Sequence, residues 1–188
     1  MSAVTVAVQG HRNRLGLKGP RAAQWLSSNG IAVPMTPNTW THSDDALGPD
    51  ALLVARLGTA EFFLEDGAAG TTLERISPSL DEHPPGVYPV IREDWAFVLA
   101  GEGVHDVLAQ VCNVNFAALS LDSRPLIMTL MIGVAVLVVP QSVVGGGPDG
   151  AAGRHYRIWC DPTFGPYLGE SLGAVVIECG GRYTGVSG

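Results

Sequence analysis

A chain of 188 residues that is 46% apolar and only 15% charged can build an extensive core, which excludes disorder for most of its length. Its 18 acidic and 11 basic residues leave a formal charge of −7, the wrong sign for contact with nucleic-acid phosphates or anionic lipid, so neither nucleic acid nor a membrane is expected as a partner. Cys112, Cys160 and Cys179 share no C-x-x-C spacing and fit a reducing, cytoplasmic setting better than a disulfide framework or a zinc site.

The opening residues, 1–8, carry no basic flank and are too short an apolar run for a signal peptide. Residues 14–18 read as a short strand. Gly19-Pro20 then opens a helix that Gly30 closes, since proline at the first helical position forfeits no hydrogen bond. Pro34 and Pro37 keep residues 33–40 extended, and a polar stretch follows over 41–50. Residues 51–57 and 60–64 read as a hairpin turning at Gly58-Thr59, followed by a loop at 67–70.

Pro84-Pro85-Gly86 fits neither a helix interior nor a central strand, and marks a boundary between lobes at 1–85 and 86–188. Strands are expected over 87–92 and 95–100. A helix beginning at Gly101-Glu102 follows, with Val104, Val107, Leu108, Val111 and Cys112 on one buried stripe. The apolar run 126–139 is shorter than the roughly 20 residues a membrane helix needs. Cut at Gly133, it gives two strands, the second ended by Pro140. A glycine-rich loop spans 141–153, and a strand of period-2 alternation spans 155–160. Asp161-Pro162 caps a final helix running to Cys179. This order of elements predicts the α+β class: two packed, ferredoxin-like lobes with antiparallel sheets and helices on one side.

Motifs that carry chemistry fail on context. Gly169-Glu170-Ser171-Leu172-Gly173 matches a nucleophile elbow, but Ser171 falls well inside a helix where the elbow needs a strand-to-helix turn. Gly165, Gly169 and Gly173 stack four residues apart, which points to a close approach by the sheet or by a partner. The glycine pattern from Gly145 to Gly150 precedes a strand, not the helix a dinucleotide site requires. The five histidines have no metal-ligand spacing, and His105-Asp106 reads as an exposed helix face. Neither catalytic nor metal-binding residues are assigned. Trp40, Trp95 and Trp159, with Arg92 and Arg157, offer a stacking platform and a carboxylate clamp for a flat anion such as a folate; core packing is their plainer use. The ligand candidates are therefore Trp40, Arg92 and Trp95.

Several of these residues carry a resemblance. Leu17-Lys18-Gly19-Pro20, Pro37-Asn38-Thr39-Trp40, Leu47-Gly48-Pro49-Asp50, Leu99-Ala100-Gly101-Glu102 and Pro166-Tyr167-Leu168 resemble the gamma-subunit family of heterotetrameric sarcosine oxidases. That resemblance implies an aminomethyltransferase-like fold, similar to the folate-binding domain of glycine-cleavage T-proteins, and a role in one-carbon metabolism. It implies a small, non-catalytic subunit alongside alpha, beta and delta subunits, with flavin and NAD bound on those partners and tetrahydrofolate accepting the one-carbon unit. The alternative is a free-standing folate or one-carbon-carrier binding protein, able to form a homo-oligomer in isolation. Where T-protein-like sequences carry an acidic turn, this chain has Pro89-Val90-Ile91.

Overall fold

The computed structural model describes residues 4–43, 51–143 and 153–185. The Leu47-Gly48-Pro49-Asp50 tetrapeptide, the Gly145 to Gly150 motif and most of the glycine-rich loop lie outside the described residues. In chain order the elements are β1 (Val4–Val8), β2 (Arg14–Lys18), α1 (Ala22–Ser28), β3 (Thr39–Ser43), β4 (Leu52–Gly58), β5 (Glu61–Glu65), α2 (Thr72–Asp81) and β6 (Tyr88–Val90). They continue with β7 (Trp95–Gly101), α3 (Val104–Val111), β8 (Ile127–Met131), β9 (Val134–Val143), β10 (Gly153–Cys160), α4 (Gly165–Glu178) and β11 (Arg182–Thr184). Short 3₁₀ turns cover Phe116–Ala118 and Pro162–Phe164.

Two compact units result, named here for their places in the sequence: a central unit, His11–Glu93, and a terminal unit made of Met1–Gly10 and Asp94–Gly188. Each has one sheet. The class is α+β, with two antiparallel-rich sheets and few helices. The division falls at Gly10/His11 and Glu93/Asp94, whereas the sequence reading sets one boundary after residue 85. A single cut through the sequence does not reproduce this, because β1 pairs antiparallel with β7, whose partner residues lie some ninety positions on, Val6 facing Leu99.

In the central unit the strand order is β3-β4-β5-β2-β6, antiparallel throughout. Period-2 alternation sends Leu52 and Val54 of β4 and Phe62 and Leu64 of β5 to one face, where Leu26 of α1 and Ile76 of α2 cover them. The sequence pattern leaves 71–79 without an element. The structure has α2 there, with Pro78 inside it, and Leu73, Ile76 and Leu80 facing the core at i, i+3 and i+7. The polar stretch at 41–50 begins instead as the end of β3, pairing Thr41 with Val54 and Ser43 with Leu52, while residues 44–50 lie outside the described residues. The strand expected over 87–92 is only Tyr88–Val90.

In the terminal unit the order is β11-β1-β7-β10-β9-β8, antiparallel except for the β1–β11 pair. Val4, Val6 and Val8 of β1, Phe97 and Leu99 of β7, and Tyr156 and Ile158 of β10 share one face with the stripes of α3 and α4. Fully burying a side chain of Leu or Val size contributes about 1.5–3 kcal/mol, so this layer dominates the unit's stability. The flanking strands β1 and β11 have no counterpart in the sequence reading. Pro140 does not end β9, which runs on to Val143. The ladder to β8 stops at Val138, so Pro140 has no donor to supply on that side, and its lost N–H is tolerated there. At Gly133 the cut holds: Ile132 and Gly133 adopt φ of 50° and 81°, the two-residue turn that joins β8 to β9.

Candidate functional site

The central unit carries a cleft of about 700 Å³, within the range of small-molecule sites. Its walls are the start of β2, one flank of α2 and the chain leaving β6. Leu73, Leu80, Val90 and Ile91 give it an apolar lining. Arg12, Arg14, Arg92, Glu74 and Glu93 are the charged residues of its lining.

Two of these cations are positioned from beneath. Arg14 sits opposite Glu65 in the β2–β5 ladder, and its Nε donates to the Glu65 carboxylate; both side chains are buried. The Arg92 guanidinium lies 4.9 Å from the centre of the Phe63 ring, a cation–π stack that fixes its plane. The residue after Glu65, Asp66, is also buried. Its carboxylate oxygens accept from Leu73 N–H at 3.3 and 3.2 Å, satisfying an orphan donor of α2 that Thr71 leaves uncapped. Burial pushes the Asp66 pKa up from 3.8, while hydrogen bonds from Leu73, Asn13 and Thr72 pull against that rise. Asn13 Nδ2 donates to Glu74 Oε1 at 3.5 Å, tying the strand side of the cleft to the helix side.

Of the sequence candidates, Arg92 lines the cleft and the tryptophans do not. Trp40 is a buried β3 residue with its ring 5.2 Å from His42, edge to face. Trp95 opens β7 in the terminal unit, where its indole abuts the backbone of Gly165, and its Nε1 is buried without a hydrogen-bond partner. Trp159 lies under the Arg157 guanidinium, 4.9 Å from its ring. The faces of Trp95 and Trp159 are thus engaged within the protein, and the stacking platform for a flat ring is not open at either. The sequence reading missed Arg12, Arg14, Glu65 and Asp66. The signal was an arginine, Arg14, that faces an acid, Glu65, across the β2–β5 ladder, and it becomes specific only once the register is known.

Groups with nucleophilic or acid–base chemistry are committed elsewhere. Ser171 Oγ donates to the Tyr167 carbonyl at 2.8 Å within α4, four residues back along the same helix. Burial, reinforced by the Asp94 and Asp161 carboxylates, pushes the Cys160 thiol up to about 11, so thiolate is scarce. His105 is not on an exposed face: it is half-buried, and its Nε2 shares a 2.7 Å hydrogen bond with the hydroxyl of the fully buried Tyr156. Burial pushes the Tyr156 phenol up from its usual 10.0, and a hydrogen bond and charge from Arg154 pull against that rise. Burial and then the Arg154 charge hold His105 below its usual 6.5, against the opposing pull of Asp106. Among the described residues no group of three His, Cys, Asp or Glu side chains is placed to hold a metal ion, and no helix is long and apolar enough to cross a membrane.

No family model matches the sequence, and no curated protein matches it. Solved structures do match in shape. The glycine cleavage system aminomethyltransferase T from Bartonella henselae superposes with a TM-score of 0.66 and 14% identity, covering 97% of this chain and 48% of that one. This chain therefore spans about half the length of that enzyme. A chain of the heterotetrameric sarcosine oxidase from Corynebacterium sp. U-96, solved with pyrrole 2-carboxylate, superposes with a TM-score of 0.66 and 18% identity, covering 93% of this chain and 84% of that one. The chain has the T-protein-like fold that these two structures share.

Proposed function

We propose that this chain is a small, non-catalytic subunit of a sarcosine-oxidase-like complex, the counterpart of its gamma subunit, acting in the cytoplasm. The observation that carries the reading is the mutual cover of the sarcosine oxidase match, 93% of this chain and 84% of the other, which makes the two chains of comparable length. Partner alpha, beta and delta subunits would hold the flavin and NAD and oxidise the N-methyl group of sarcosine, with tetrahydrofolate taking the one-carbon unit. The inert settings of Ser171 and Cys160 suit a subunit that supplies structure instead of chemistry. Size-exclusion chromatography of the protein drawn from its native cells tests this: co-elution with larger chains is expected, and elution of the chain by itself contradicts it.

A second reading is a free-standing binder of tetrahydrofolate, favoured by the 97% of this chain that superposes on the aminomethyltransferase. Saturable heat on titration with tetrahydrofolate would support it, and no heat together with no thermal shift would remove it.

A further inference from the structure

We propose that the loop between α1 and β3 is a docking knob, with Met35 at its tip, for an uncharged apolar socket on a larger partner chain. Met35 is 90% exposed, and Ala32 and Pro37 on the same loop are exposed as well. A single exposed apolar side chain is ordinary; rigidity and charge set this one apart. Arg56 of β4 fixes the loop. Its Nη1 donates to the carbonyls of Pro34 and Met35 at 3.0 and 2.9 Å, its Nη2 to Thr59 at 2.8 Å and its Nε to Gly58 at 3.3 Å, while its own carbonyl accepts from Asn38 N–H at 2.8 Å. The planar guanidinium, 5.5 Å from the centre of the buried Phe62 ring, thus ties the backbone of Met35 to the β4–β5 turn. Thr39 Oγ1 donates to the Thr36 carbonyl at 2.7 Å and closes the far side. A loop held in shape before binding loses little entropy on binding.

Charge selects the occupant. In a chain that is 15% charged, no Asp, Glu, Lys or Arg occurs from Ala22 to Ser43. Interface cores are depleted in charge and enriched in methionine, and a charge buried against this loop would find no opposite charge on it. The matching socket is therefore uncharged. A second copy does not supply one: about a two-fold axis it presents the same knob, and its central-unit cleft is lined by Arg12, Arg14, Arg92, Glu74 and Glu93.

The inference rests on the subunit reading and names the surface that joins the larger chains. Its test treats the assembly drawn from native cells and the isolated full chain with hydrogen peroxide, and reads sulfoxide at Met35 by mass spectrometry. In the isolated chain Met35 should oxidise at least as fast as Met128, which is 54% exposed. In the assembly Met35 should oxidise several-fold more slowly. Met35→Asp is expected to weaken retention of the larger chains by about tenfold or more, the loss of a hot spot, and Met35→Leu, which keeps volume and apolarity, to retain them. Larger chains present with Met35 oxidised as fast as in the isolated chain, or retained undiminished by Met35→Asp, would overturn the knob and leave the subunit reading standing. An eluate without larger chains would overturn both. Slowed Met35 oxidation in an assembly of this chain alone would give the knob to a second copy and likewise overturn the proposal.

Discussion

Gly165 lies so close to Trp95 that a β-carbon built on it would fall 2.5 Å from Cδ2 and Cγ of the indole and 2.8 Å from the Trp95 Cβ. The three glycines spaced four apart on α4 all face the sheet in this way, but with decreasing severity. A β-carbon at Gly169 would sit 3.1 Å from the buried Phe97 ring, and at Gly173, 3.2 Å from Tyr183, a partly exposed residue of the edge strand β11. Alanine at Gly165 should therefore destabilise by about 1–3 kcal/mol, the usual cost of overpacking. At Gly173 the gain in helix propensity, up to about 1 kcal/mol, should offset the crowding of a side chain that can swing outward. Urea denaturation of the three variants should rank them Gly165→Ala, Gly169→Ala, Gly173→Ala from least to most stable. The reverse order would show that the helix does not seat on β7 as described.

The Arg14–Glu65 pair makes a second prediction, for the floor of the cleft. Both side chains are buried, so Glu65→Leu strands a guanidinium without its carboxylate and should destabilise by about 3–5 kcal/mol. Replacing both, Arg14→Met with Glu65→Leu, should recover most of that loss, because the desolvation of two charges is removed together. Unfolding curves of the single and double variants decide the point: a double variant no more stable than the single would mean that the pair does more than neutralise itself.

How legible this was in the sequence depended on where each element drew its definition. α3, α4 and the β4–β5 and β8–β9 hairpins declare themselves through local periodicity and turn residues, and they form where the pattern places them. β1 and β11 do not, because a strand of five residues and one of three are fixed by pairing with each other and with β7, at distances no local window spans. α2 was hidden by Pro78 and by a capping group, Asp66, six residues before its first turn. The same holds for the cleft. Arg92 could be singled out beside Trp95, but Arg14 gains its meaning only from the register that sets it opposite Glu65. The glycine stripe was the exception, a spacing that named its own packing face before the sheet against it was known.

His105 should make the terminal unit sensitive to mild acid. Folding holds its pKa below 6.5, so the unfolded chain binds the proton more tightly between the folded value and 6.5. Stability should then fall as pH drops through that window and level off above it. His105→Gln should flatten this dependence, and an NMR titration should place the imidazole below 6.5. A midpoint at or above that value would mean that the hydrogen bond with Tyr156 does not shelter a neutral ring.

Ser171 should be chemically silent. Its hydroxyl proton is given to the Tyr167 carbonyl, and neither a histidine nor any other base takes part in that bond. A fluorophosphonate probe should leave the protein unlabelled, and Ser171→Ala should change stability by no more than a few tenths of a kcal/mol, the scale of a surface substitution. Stoichiometric labelling lost in Ser171→Ala would reinstate a hydrolase.

The central claim is membership of an oxidising assembly, and the most direct measurement is affinity purification of the tagged chain from its native cells, with an absorbance spectrum and an intact-mass measurement of the eluate and an assay of sarcosine oxidation. A flavin-bearing complex that contains this chain in fixed stoichiometry with larger subunits and oxidises sarcosine is the result expected. A colourless eluate holding only the 19.7 kDa chain, with no oxidase activity, would contradict it.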